Sequence, residues 1–166
     1  MIFVTVGTHE QPFNRLIEYV DNLKKDGGIT DEVIMQTGFS TYEPKFCKWS
    51  RLLPYNEMVQ SVADARIVIT HGGPASFIMP LQIGKIPIVV SRRHEFNEHV
   101  NNHQVEFAKA VAKRMGNIIP IYEIDELKNV IADYDKIIAE MPSVLKSNNN
   151  KFNKRLEKIV EELEIK

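Results

Sequence analysis

Only one cysteine and one tryptophan occur among 166 residues, no apolar stretch is long enough to span a bilayer, and acidic and basic side chains nearly cancel. Each scarcity excludes something. A lone Cys47 cannot close an internal disulfide and argues against a Cys/His zinc cluster, so a reducing, cytoplasmic setting is expected. A formal net charge of −1 argues against a general nucleic-acid surface. The opening run from Met1 to Gly7 has no basic segment and is too short for a secretion signal, so it reads as a first buried strand. Contact with a membrane is expected only through a partner or a surface patch.

What is present is concentrated between Ile67 and Gln104. The apolar strand Ile67-Val68-Ile69-Thr70 runs into His71-Gly72-Gly73-Pro74-Ala75-Ser76 and then a helical pattern. A second apolar run, Ile86 to Val90, opens into the polar segment Ser91 to Gln104. Two successive strand-to-helix junctions loaded with polar residues describe a ligand crevice at the carboxyl edge of a parallel sheet. Helix N-termini at such an edge offer unpaired N–H groups and the positive end of a dipole, which suits phosphate.

The rest of the chain supports that architecture. Strands are expected over Ile2–Val6, Glu32–Gln36, Lys45–Leu52 and Asn117–Ile121, with helices over Phe13–Leu23, Tyr55–Ala65, Ile124–Ala132 and Lys136–Met141. Alternation at short intervals predicts an α/β fold, a Rossmann-like parallel sheet sandwiched by helices in a single domain over 1–166. Ser147 to Asn150 form a polar break, and Phe152, Leu156, Ile159, Val160 and Leu163 make an apolar stripe expected on a terminal helix. That element, 147–166, either docks a partner or packs on its own domain.

All five histidines fall in the predicted rim segments: His9, then His71, then His94, His99 and His103. Gly7-Thr8-His9 resembles a phosphate-binding turn without the spacing of a dinucleotide fingerprint or P-loop. Gly72 and Gly73 permit close backbone approach, and Pro74 is pre-set for a first helical position. His99 and His103 are four apart, but Val100 stands where a zincin helix carries Glu, so no metal is expected. Asn101, Asn102, His103 and Gln104 supply the mixed donors and acceptors that sugar hydroxyls need. Arg92 and Arg93 either neutralise a diphosphate or form a solvated loop.

On Val4 to Ile17, Thr70 to Ser76 and Glu98 to Gln104, the chain resembles the C-terminal, UDP-sugar-binding half of the family 28 GT-B glycosyltransferases. It is most similar to the bacterial capsular and exopolysaccharide branch, in which the two halves are separate proteins. It is also similar to the catalytic subunit of the dolichol-linked GlcNAc transferase. The resemblance implies that Gly7, Thr8 and His9 line a diphosphate and that Pro54 and Tyr55 approach uracil. His71, Gly72, Gly73 and Ser76 would hold phosphate and the adjoining sugar, while Asn102, His103 and Gln104 would read the hexose. Met79 stands where the family carries a ribose-binding Glu, so Glu95 or Glu98 is expected to take that part, or ribose is read more weakly.

The same resemblance implies a two-subunit inverting enzyme with no cofactor beyond its UDP-sugar donor. This chain would hold UDP-galactose for preference, and a membrane-associated partner would hold a polyprenyl-diphosphate-linked saccharide and supply the general base. The chain would then sit at the inner membrane face through that partner. Two other readings stay open: a non-catalytic nucleotide-binding subunit that stabilises a transferase, and a UDP-sugar epimerase-like protein.

Overall fold

The computed structural model describes residues 1–141, so the terminal element 147–166 lies outside the described residues. Six parallel strands form one sheet: β1 (Ile2–Thr5), β2 (Val33–Gln36), β3 (Lys48–Ser50), β4 (Ile67–His71), β5 (Ile88–Val90) and β6 (Ile119–Ile121). Their spatial order is β3-β2-β1-β4-β5-β6. The chain therefore winds outward in both directions from the β1–β4 pair, and a doubly wound sheet opens a crevice where that order reverses.

Helices cover both faces, which is why the central strands are apolar throughout rather than alternating. One face packs α1 (Asn14–Lys25), α5 (Glu126–Ala132) and α6 (Tyr134–Glu140) over Val4, Ile69 and Ile88. The other carries α2 (Tyr55–Asp64), α3 (Pro74–Gln82) and α4 (His103–Met115), with Phe3 and Val68 beneath Val62, and Val89 beneath Phe77 and Ala108. Each of these strand side chains is at most 1% exposed, so the sheet is the buried centre of a three-layer sandwich.

The α/β reading holds, with shorter elements than the sequence pattern suggests. The third strand keeps only Lys48–Ser50 of the expected Lys45–Leu52. Its first residues are taken by Asp21, whose carboxylate accepts the Lys45 amide at 2.8 Å, the Phe46 amide at 2.9 Å and the Cys47 amide at 3.0 Å. Burial beside that carboxylate pushes the Cys47 thiol up to about 12, so it is unreactive at neutral pH. The polar run Ser91 to Gln104 contains a single 3-10 turn, His94–Phe96, closed by Asn97 in the left-handed region.

Candidate functional site

A crevice of about 560 Å³ opens at the carboxyl ends of β1, β2 and β4, within the range of small-molecule sites. Thr5 and Gln36, side by side on β1 and β2 by strand register, both line it. The Thr5 hydroxyl donates to Gln36 Oε1 at 2.7 Å and accepts the Gly7 amide at 3.3 Å, which fixes the start of the β1–α1 turn. Gly7 needs its glycine: φ is +71°, and a Cβ there would overlap the His71 ring.

His71 ends β4 and enters the crevice between Gly7 and Gly73, with its Nδ1 buried and unpartnered. Burial first, and the Arg92 charge second, push its pKa down to about 4, so the ring is neutral at physiological pH. Beside it begins α3, with Pro74 in its first turn and no side chain capping it. Ala75 and Ser76, in the same turn, line the crevice. An uncapped helix start next to a neutral imidazole and a glycine turn can receive an anion. Tyr55, Met58 and Val62 from α2 and Met79 from α3 form the apolar walls.

The sequence expectations separate here into two groups. Gly7, Thr8, His9, Tyr55, His71 and Ser76 all line this crevice. Pro54 immediately precedes Tyr55 as the residue before α2. Gly73 borders the His71 ring, while Gly72 is buried against Ser91 and Gln104, where a Cβ would come within 2.7 Å of Ser91 Oγ.

The residues beyond β5 do not line this crevice. Arg92, offered by the sequence for a diphosphate, is 0% exposed and its guanidinium donates to the carbonyls of Val6 at 2.8 Å, Gln11 at 2.7 Å and Glu98 at 3.1 Å. Burial lowers its pKa to about 10, which leaves it charged at neutral pH. The Glu98 carboxylate is held by Arg15 at 2.9 Å on both oxygens and accepts the Arg93 amide at 3.0 Å. Glu95 bonds Asn102 at 3.2 Å, outside the crevice lining. Gln104 is buried over Gly72, and Asn102 accepts the His94 amide at 2.8 Å. His103 touches Asn101 and meets His99 edge-on, and His99 stacks on His9 at 4.7 Å.

Gln36, Met58 and Val62 are crevice residues that the pattern did not single out. Gln36 carried a signal, as a polar residue closing an otherwise apolar strand. Met58 and Val62 carried none, because a helix stripe reads the same whether it packs core or walls a cleft. Among the described residues no group of three or more His, Cys, Asp or Glu side chains could hold a metal ion.

Comparisons with known proteins agree with this fold. The profile described as "Glycosyltransferase family 28 C-terminal domain" matches residues 1–163. UDP-N-acetylglucosamine transferase subunit ALG13 from Homo sapiens is 34% identical over 122 residues, covering 68% of this chain and 10% of that protein. The chain thus matches a small part of that relative's length. The crystal structure of the glycotransferase of kitacinnamycin superposes with a TM-score of 0.57 at 16% identity, over 80% of this chain and 34% of that one, a likeness of fold.

Proposed function

The chain belongs to the glycosyltransferase family 28 C-terminal domain family, and from that premise we propose that its crevice is the donor site of a glycosyltransferase, holding a UDP-sugar. One observation carries this reading: the uncapped start of α3, the neutral His71 and the Gly7 turn meet at the switch point of the sheet. The diphosphate lies along Gly7, Thr8 and Ser76, and the nucleoside extends between the α2 and α3 walls. His71 is one hydrogen-bond donor or acceptor rather than a cation, so the helix start supplies most of the local positive potential.

The reaction is an inverting displacement. An acceptor hydroxyl attacks the anomeric carbon, the bond from that carbon to the diphosphate oxygen breaks, and the hydroxyl proton passes to a base on a partner subunit. Charge grows on the departing diphosphate, and fixed donors aimed at that charge lower the barrier without reorganising. The finer reading is a hexose donor, UDP-galactose for preference, in a two-component enzyme of capsular or exopolysaccharide synthesis. The partner is membrane-associated, holds a polyprenyl-diphosphate-linked saccharide and keeps this chain at the cytoplasmic face. The subunit named in the human relative supports the two-component part, and the resemblance to capsule enzymes supports the sugar.

The test is direct. UDP should raise the melting temperature of the isolated chain, and transfer should require the partner. In a reconstituted pair, His71→Ala should lower transfer at least tenfold. Unchanged transfer would replace the catalytic reading with that of a stabilising nucleotide-binding subunit.

A further inference from the structure

Gln36 ends β2, is 1% exposed, and yet lines the crevice. A primary amide buried so deeply has an acceptor oxygen and two N–H donors to satisfy. Its oxygen is taken, and the bonds that take it have a direction. The Gly7 amide can only donate, and it does so to Thr5 Oγ1 at 3.3 Å; the Thr5 hydroxyl passes its own hydrogen to Gln36 Oε1 at 2.7 Å. That relay orients the carboxamide so that Nε2 is the end left for the crevice. The stem is fixed as well, because the Gln36 carbonyl accepts the Val6 amide at 3.2 Å and the residue pairs in register with Thr5. Gly38, two residues on, packs so closely on the β1–α1 turn that a Cβ there would lie 2.5 Å from the Gly7 carbonyl oxygen. Nε2 is therefore an uncharged donor held beside the Gly7 turn, in the same crevice as the start of α3.

Resting on the donor-site reading, we propose that Gln36 is a specificity-determining residue of that site, its Nε2 donating to an oxygen of the nucleotide's diphosphate. An amide whose oxygen is committed can only donate, so it suits a ligand group that only accepts. The pairing edge of uracil mixes acceptors with a donor, and a free carboxamide meets such an edge with both of its ends. This one has a single end to offer. A diphosphate presents acceptors alone. A hydrogen bond to an anion is stronger than one to a neutral oxygen, and a donor oriented in advance needs no reorganisation. Gln36 thus joins the helix start and the neutral His71 in a site that holds an anion by oriented dipoles.

Calorimetric titration of the full chain with UDP tests this. Gln36→Glu keeps an acceptor for the Thr5 hydroxyl but replaces the donor with a carboxylate oxygen, so UDP should bind roughly thirtyfold more weakly near neutral pH. That loss should shrink as pH falls to about 5.5, because a carboxyl buried beside an anion protonates early and regains a donor. Taking the ratio to wild type at each pH cancels the titration of UDP, His9 and His71. A purely structural role for Gln36 would give no such recovery. Gln36→Met, of similar volume, should cost about tenfold at every pH and serves if the first variant unfolds. Uridine, titrated by NMR, should bind wild type and variants within about twofold of one another. UDP affinity within about twofold of wild type in the folded variants overturns the inference and leaves the donor site standing. Uridine weakened as strongly as UDP overturns it too, by assigning the amide to the nucleoside. If UDP does not bind the folded wild-type chain, the donor-site reading falls and takes this one with it.

Discussion

The two polar rims of this sheet look alike as sequence and differ as structure. Beyond β5, charged and amide groups are spent on one another: Arg92 on backbone carbonyls, Glu98 on Arg15, Asn102 on His94 and Glu95. Beyond β1 and β4 the groups open onto the crevice, with His71 Nδ1 unpartnered beside the uncapped α3; Arg92 Nε and His99 Nδ1 on the other rim also lack partners, but neither residue lines the crevice. The first rim is a scaffold that ties the β1–α1 loop to the loop before α4. The second is where a ligand can still gain something. Polar density alone does not distinguish them; which groups face the crevice does.

The sharpest way to break that contrast is at the scaffold. Arg92→Leu strips the donor from the buried carbonyls of Val6 and Glu98 and from the half-buried carbonyl of Gln11, while Arg15 still holds the Glu98 carboxylate, so urea denaturation should show about 3 kcal/mol lost. A loss under about 1 kcal/mol would mean that the β5 rim is not holding the loops.

Acidification probes the crevice next. His71 titrates at about 4 when folded against an ordinary 6.5, so the unfolded chain binds the proton that the folded chain refuses. Its contribution is complete above about pH 6.5 and is lost as pH falls toward 4. Stability should be about 2 kcal/mol lower at pH 5 than at pH 7.5, and His71→Asn should remove most of that slope. His99 is shifted down too, by burial first and His9 second, and supplies a smaller slope of the same sign.

Smaller effects sharpen the comparison. Ser76→Ala should weaken UDP about fivefold while changing unfolding free energy by less than about 0.5 kcal/mol, read by calorimetry and denaturation together. Asn102→Ala should do the reverse, costing about 0.5 kcal/mol of stability with UDP affinity unchanged. A loss of affinity in that variant would join the β5 rim to the nucleotide site and erase the distinction.

The sheet and the β1/β4 crevice were legible because their cues are local. Ile67 to Thr70 followed by two glycines and a proline encodes a strand, a turn and a helix start within ten residues. Gly7 carried its cue in the same way, at the end of an apolar run. The fate of Arg92 was not legible, since its partner Val6 lies 86 residues away and a guanidinium suits a carbonyl cage as well as a phosphate. Lys45 to Cys47 misled for a related reason. Their residue types allow a strand, but Asp21, buried in α1, captures their amides before pairing can begin.

The slot that holds His71 also orders the mutational routes open to this protein. Gly73 has φ of −75°, which alanine tolerates, so the nearest obstacle to a methyl group there is the imidazole, whose Nε2 would lie 2.4 Å from it. Gly73→Ala alone should be damaging, yet harmless once position 71 has become small. Evolution or engineering must therefore surrender the ring before the glycine. A library that varies Gly73 in the presence of His71 will find almost nothing, whatever the ligand.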